Sequence, residues 1–296
     1  MKIGITDSGT GGLAVCAEVE ARLREQPSLQ DVELLYLNAA LRDDFSYNAM
    51  TTREEKVQAF DRFLENVRAR YAPDFLYIAC NTLSILFKDE IFRQHAPTPT
   101  RGIVESGTRA ILAALQSHDE SSRTAPIVIF ATPTTVSEGA YVTAMTRAGV
   151  ARGRVIQQAC PGLPDAISND YSGREARALL QRFVPSALGR LGGPPEQLIA
   201  FLGCTHYGYQ AGLFSSLIEE RVARSTLINP NRFAASDILG WIAPRRGSGT
   251  LRVRFVSPYR IPDKPLATLP RYLGKTAPAT VAALRGFEHD PGLYAG

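Results

Sequence analysis

The feature that most narrows what this chain can fold into is an apolar run that occurs twice and ends each time in a cysteine. Leu76-Tyr77-Ile78-Ala79-Cys80-Asn81-Thr82-Leu83-Ser84 is the first copy, and Leu198-Ile199-Ala200-Phe201-Leu202-Gly203-Cys204-Thr205-His206-Tyr207 is the second. A short run that is apolar throughout reads as a strand buried on both faces. The polar cluster then falls just past the strand's carboxyl end, where parallel α/β sheets hold their ligands. An offset of 124 residues brings Cys80 onto Cys204, Val32 onto Ile156 and Asp7 onto Ala131, so three strand-like segments repeat in one register. The repeat predicts an internal duplication of a βαβαβα unit. The expected fold is therefore α/β, with two similar doubly wound parallel-sheet domains and an active site in the cleft between them. The expected boundaries are residues 1–100 plus 225–296 for the first domain and 101–224 for the second.

Composition removes several classes of function. The 296 residues suffice for two cores, and no apolar run approaches the roughly 18 residues that span a bilayer. Met1-Lys2-Ile3-Gly4-Ile5-Thr6 enters a strand pattern with no signal-peptide anatomy, so a cytoplasmic protein with no membrane partner is expected. Cys16, Cys80, Cys160 and Cys204 lie far apart with no C-x-x-C pair, which argues against both a disulfide framework and a zinc site. No metal and no cofactor is expected, and Cys16 and Cys160 are read as small buried hydrophobes. Residues 245–275 carry eight Arg or Lys against the single acid Asp263. That run reads as a solvated face, and its sharper alternative is a docking surface. Few aromatics accompany it, so nucleic acid is not the expected partner; a small molecule is.

The chemistry is carried by the strand ends. The opening strand runs into Asp7-Ser8-Gly9-Thr10-Gly11-Gly12 and then a helical stretch from Leu13, a device that turns backbone N–H groups toward an anion. The glycines match neither a Walker A loop nor the dinucleotide fingerprint, so a carboxylate ligand fits better. A thiol between a strand and a helix feels the positive helix terminus, which draws its pKa from about 8.5 toward neutrality. Such a thiol is either a nucleophile, which His206 beside Cys204 supports, or a proton-transfer base. Duplication favours proton transfer. Two thiols on opposite walls of one cleft reach the two faces of one carbon, and inversion then needs neither redox nor metal chemistry. The developing carbanion would be held by the N–H groups past each cysteine with Asn81, Thr82 and Thr205. Asp7 and His206 would tune the thiols or hold an ammonium, and Ser8 and Thr132 would add hydrogen bonds.

Gly4-Ile5-Thr6-Asp7-Ser8-Gly9-Thr10-Gly11-Gly12-Leu13, Ala79-Cys80-Asn81-Thr82 and Leu202-Gly203-Cys204-Thr205-His206-Tyr207 together resemble glutamate racemase, of the cofactor-independent aspartate/glutamate racemase superfamily. The resemblance runs in order over residues 1–240. It implies Cys80 and Cys204 as the acid/base pair without pyridoxal phosphate, with Asp7, Ser8, Asn81, Thr82, Thr205 and His206 touching the substrate. Thr132 and Thr135 match the family's Thr-x-x-Thr substrate loop. Family members supply D-glutamate for peptidoglycan and often form homodimers. Two departures stand out. Ser46-Tyr47-Asn48 replaces the usual Pro-Tyr-Gly, leaving only Tyr47 of a substrate-touching loop, and Ser168 stands where a glutamate near the cleft is usual. The expected activity is racemisation of an acidic amino acid, glutamate first. The alternatives are a related two-cysteine isomerase or lyase on another amino acid or dicarboxylate, and an altered paralogue that binds through its basic segment.

Overall fold

The computed structural model describes residues 1–25, 30–43, 45–87, 98–116, 123–193, 195–242, 249–274 and 276–295. Ten strands fall into two sheets. The first holds β1 (Lys2–Asp7), β2 (Val32–Asn38), β3 (Phe75–Ile78), β4 (Thr100–Gly102), β9 (Leu251–Ser257) and β10 (Glu288–His289), in the order β10-β9-β2-β1-β3-β4. The second holds β5 (Ile127–Ala131), β6 (Val155–Ala159), β7 (Gln197–Gly203) and β8 (Arg224–Ile228), in the order β6-β5-β7-β8. Every pairing within the two sheets is parallel.

The apolar runs form strands because both faces of each sheet are covered. Leu34 and Tyr36 of β2 pack with Leu13, Val15 and Val19 on one side, while Leu35 and Leu37 meet Phe60 and Phe63 on the other. In β7, Leu198, Ala200 and Leu202 share a core with Phe214, and Ile199 and Phe201 share the opposite core with Tyr141. Alternate residues thus find apolar partners on opposite faces, which is why the pattern is continuous rather than alternating.

The duplication is visible in the topology, and it extends one strand further than the sequence reading. The order β2-β1-β3-β4 in one sheet corresponds to β6-β5-β7-β8 in the other. Ile3 pairs with Phe75 as Ile127 pairs with Ile199, so β1/β5 and β3/β7 keep the 124-residue offset. The second strand does not. Ile3 pairs with Leu34 and Ile127 with Val155, so Val32 does not correspond to Ile156. The connections explain the slip: one helix, Leu13–Glu25, joins β1 to β2, whereas two short helices, Pro133–Glu138 and Ala140–Arg147, join β5 to β6.

Strand β8 bonds to β7, so the chain leaves the second sheet after Ile228 rather than at the expected residue 225. Likewise Arg101 and Gly102 still belong to β4 of the first sheet. The chain returns through the helix Pro230–Leu239, which packs against Leu13–Glu25 and against the outgoing helix Ile103–Leu115. Strand β9 then lies beside β2.

The described part of the basic segment is built into the fold, within the first sheet at Arg254 and against the second lobe at Arg271. Arg254 of β9 lies 2.9 Å from Glu33 and 2.7 Å from Glu288, and the Arg271 guanidinium sits 4.0 Å over the Tyr171 ring. Residues 245–248 and 275 of that segment lie outside the described residues. Among the described residues, no helix is long and apolar enough to cross a membrane.

A buried carboxylate fastens the returning C-terminal segment. Glu20 has no exposed surface and accepts backbone N–H bonds from Ala279 and Thr280 at 2.8 and 2.7 Å, at the start of the helix Pro278–Arg285. An acceptor there satisfies helix-terminal donors that have no partner within the helix. Glu20→Ala leaves two donors dry and is expected to destabilise the protein by roughly 2–4 kcal/mol. A denaturant titration checks it, and an unchanged midpoint would show that the segment is held by its apolar contacts alone.

Candidate active site

A cavity of about 310 Å³ opens at the carboxyl ends of the strands, lined from both lobes by Asp7, Cys80, Asn81, Thr132, Cys204 and His206, among others. Parallel strands deliver residues to one edge, so each loop that follows β1, β3, β5 and β7 arrives at the same place. Cys80 caps the helix Asn81–Leu86; its Sγ receives the Leu83 N–H at 3.5 Å and lies 3.1 Å from the Ser8 hydroxyl. Cys204 opens a 3-10 turn, Thr205–Gln210, and its Sγ lies 3.7 Å from Nδ1 of His206. The two thiols therefore occupy equivalent strand ends with different neighbours.

Close approach of the lobes depends on glycine. A Cβ at Gly11 would come within 2.4 Å of both Nδ1 of His206 and Oγ1 of Thr205. The glycine-rich turn thus admits the opposite lobe as well as turning the chain into a helix. Through that gap the Thr205 hydroxyl donates to Oδ2 of Asp7 at 2.8 Å.

Dry surroundings dominate the proton affinities. Burial lifts the Asp7 carboxyl from its ordinary 3.8 to about 7, against the opposing pull of the Thr205 hydroxyl and the Gly9, Ser8 and Gly12 N–H groups. The same burial, with the nearby Asp7 charge, pushes Cys80 up to about 12 and Cys204 well above its ordinary value. His206 is held down at about 4 by burial, so its imidazole is neutral at physiological pH. The expectation of thiols drawn toward neutrality is overturned. Desolvation exceeds the pull of a six-residue helix terminus at Cys80, and Cys204 begins no α-helix at all.

The other sequence-predicted residues divide. Thr82, Thr132 and Thr135 come together in a buried ring of hydroxyls spaced 3.1–3.2 Å apart, joining the lobes along one side of the cavity. Asn81, Ser8 and Thr205 also line the cavity. Tyr47 does not. Its ring is fully buried, edge-on to Phe60 at 6.3 Å, and its hydroxyl lies 2.9 Å from that of Tyr294. Its neighbours Ser46 and Asn48 reach the cavity instead, from a turn closed by the Ala49 N–H on the Ser46 carbonyl at 2.9 Å.

Several cavity residues escaped the sequence reading. Cys160 is buried as expected, yet it lines the wall. Tyr259, Ile261, Pro262 and Pro265 form a further wall from the segment taken as a basic tail. The signal was present: Phe255-Val256 ends in Ser257-Pro258, another apolar strand closing on a polar turn. At the mouth, Asp43 comes from the loop after β2 and Asp165 from the helix Leu163–Asn169 after β6. Partial burial raises the Asp165 carboxyl, and the Asp43 charge adds to it. Asp165 lies one turn before Ser168, so a carboxylate is present near the expected place but displaced along the helix. Among the described residues, no three His, Cys, Asp or Glu side chains are grouped to hold a metal ion.

No protein-family model matches the chain. It is 27% identical over 256 residues to the glutamate racemase of Aquifex aeolicus, covering 86% of this chain and 88% of that one. To the glutamate racemase of Lysinibacillus sphaericus it is 30% identical over 207 residues, 69% of each chain. Its fold matches the glutamate racemase RacE1 of Bacillus anthracis with a TM-score of 0.69 at 23% identity, over 92% of this chain and 93% of that one. Two parallel-sheet lobes, each ending its third strand in a cysteine over one cavity, define an isomerase of the aspartate/glutamate racemase superfamily. Within it, the chain belongs to the glutamate racemase family.

Asp7 gives the site a measurable pH signature. Between pH 3.8 and about 7 the folded protein keeps a proton that the unfolded chain releases, so stability falls as pH rises through that window. Asp7→Asn has no charge to bury. It is expected to be more stable than the parent by on the order of 3 kcal/mol at pH 8, with the difference vanishing near pH 4. Denaturant unfolding at both pH values checks this, and a constant difference would place the burden elsewhere.

Proposed function

We propose that this protein racemises glutamate without a cofactor, by proton transfer between two thiols across the substrate α-carbon. The observation that carries the reading is the placement of Cys80 and Cys204 at equivalent strand ends of duplicated lobes, on one dry cavity. The relatives it resembles are named for glutamate, which makes that the substrate to test first.

In this reading the α-carboxylate is held by the Asn81 amide equally before and during proton transfer. The Thr82 hydroxyl, and that of Thr205 on turning from Asp7, strengthen their hold as charge develops. Asp7 accepts a thiol proton, a task its raised affinity near neutrality suits, or holds the ammonium when ionised. Neutral His206, beside Cys204, can accept a hydrogen bond from that thiol, and its lowered affinity leaves the proton on sulfur. In one direction the Cys80 thiolate takes the α-hydrogen while the Cys204 S–H bond gives its hydrogen to the opposite face; the reverse direction exchanges the roles. Atoms and electrons balance with no oxidant. The high thiol pKa values make a thiolate costly to form but a strong base once formed, which the weakly acidic α-carbon requires. Through the family, the same reading carries a cytoplasmic homodimer that supplies D-glutamate for peptidoglycan.

The acids at the cavity mouth favour a second reading, in which a related two-cysteine reaction serves an amino acid with a different side chain. Asp43 and Asp165 would disfavour a distal carboxylate and Arg42, which lines the same cavity, would favour one, so an amide or cationic end competes with glutamate there. A panel of amino acids incubated in heavy water separates the two.

Under the leading reading both enantiomers of glutamate acquire deuterium at the α-position, and Cys80→Ala and Cys204→Ala each lower inversion by at least about 10³-fold. Full inversion by either single variant sinks the two-thiol scheme. The rate is expected to be bell-shaped in pH, because Asp7 must be ionised to accept one thiol's proton while the other thiol stays neutral. Its acid limb should follow Asp7 near pH 7 and move when Asp7 is replaced by Asn.

A further inference from the structure

We infer that Tyr141 is a positioning residue, whose hydroxyl holds the Asn81 amide with its NH2 group turned into the cavity, ready for a substrate oxygen. The inference rests on the proposed function in taking Asn81 as a ligand of the substrate carboxylate. Neither the spacing of motifs nor the cysteine repeat pointed to Tyr141.

Asn81 is 3% exposed and lines the cavity. Its Oδ1 accepts the Tyr141 hydroxyl, while its Nδ2 is buried without a hydrogen-bond partner among the described residues. A buried donor left without an acceptor is unfavourable, so its presence beside an open cavity points to a ligand that completes it. An asparagine amide can turn over, exchanging oxygen for nitrogen. Tyr141 decides between the two orientations. Its hydroxyl is buried, and Asn81 is its one hydrogen-bond partner among the described residues. With Oδ1 toward Tyr141, the phenolic proton is satisfied and the two N–H donors are left for a ligand in the cavity that Asn81 lines. Turned over, the amide would present an acceptor to the substrate carboxylate, and the phenolic proton would lose its acceptor. One hydroxyl thus selects the orientation that binds an anion.

The surrounding packing is shaped to admit that hydroxyl. The Tyr141 ring lies 4.8 Å from the Phe201 ring, which fixes its plane. Opposite it stands Gly107, within the helix Ile103–Leu115, where glycine is a poor helix former. A Cβ there would come within 2.6 Å of Phe201 Cζ and 2.9 Å of the Tyr141 hydroxyl oxygen. The helix accepts a poor former at the one point where a methyl group would displace Tyr141. Tyr141 belongs to the second lobe and Asn81 to the first, so the amide is oriented by the wall facing it.

The test compares α-deuterium exchange on L- and D-glutamate by the parent protein, Tyr141→Phe, Asn81→Ala and the double variant. Tyr141→Phe keeps the ring and removes one hydroxyl. It is expected to raise KM by about 3- to 10-fold with kcat little changed, since carboxylate binding is lost equally from ground and transition states. Asn81→Ala should raise KM at least as far, and adding Tyr141→Phe to it should change nothing more. Gly107→Ala should reproduce the Tyr141→Phe effect. An unchanged KM in Tyr141→Phe, or effects that multiply in the double variant, would overturn the inference. A readout independent of activity is the side-chain ¹⁵N–¹H signal pair of Asn81, which Tyr141→Phe should shift while leaving other asparagine amides in place; no shift would also overturn it. Should the parent exchange neither enantiomer, the racemase reading falls, and the Asn81 signals still decide the role of Tyr141.

Discussion

Burial of one carboxylate and two thiols between two strand ends is the condition on which the rest of this structure depends. Asp7, at the end of the central strand, is fully enclosed, and four donors only partly offset the loss of its hydration. Its charge in turn reaches both thiols and raises them further. One buried carboxylate thus links the proton affinities of three groups in a way no exposed site could, because water would screen each from the others. A chain that gathers such groups gives up stability at neutral pH. Under the proposed function it gains from them a strong base and a matched acid on one cavity, which proton transfer at carbon requires.

The framework was legible in the sequence because it follows from apolar pattern alone. Runs such as Leu198–Leu202 are apolar on both faces, which only a covered parallel sheet satisfies, and the repeat of such runs announced two lobes. The site was legible where a residue's place follows from the end of a strand, as for Asp7, Cys80, Asn81, Cys204 and Thr205. It was not legible where orientation matters. Tyr47 lies in the expected loop, but whether its ring turns inward or toward Phe60 is settled by packing, which the sequence does not display. The thiol affinities were misjudged for a similar reason: a helix terminus can be read from spacing, whereas the depth of burial cannot. Tyr259 and Pro262 were hidden by a charge count that drew attention to Arg254 and Arg271, both of which are engaged by partners away from the cavity.

Duplication supplies the frame but leaves the two walls unequal. Asp7 has Ala131 as its counterpart, Cys80 stands at an α-helix and Cys204 at a 3-10 turn, and their neighbours are a serine hydroxyl and an imidazole. A symmetric pair of walls would suit a symmetric ligand. An amino acid presents an ammonium, a carboxylate and a side chain around one carbon, so groups that meet its two faces must differ. The slipped register of β6, and the paired short helices before it, add a further difference between the lobes.

Around the cavity the lobes meet through polar contacts: Thr205 on Asp7, the threonine ring of Thr82, Thr132 and Thr135, and Tyr141 on Asn81. Farther out, Tyr272 packs on Tyr171 and Tyr209, and Ile85 enters the core of the second lobe. Single hydrogen bonds of the first kind contribute only about 1 kcal/mol each, and each has a replacement in water. An apolar seam of equal length would resist opening, since parting it exposes surface that water does not compensate. The polar contacts can therefore yield locally to a ligand while the aromatic and apolar contacts keep the lobes together. The same lobe contacts that bury Asp7 also bring the Tyr141 hydroxyl to Asn81, so under the proposed chemistry binding geometry and base strength have one origin.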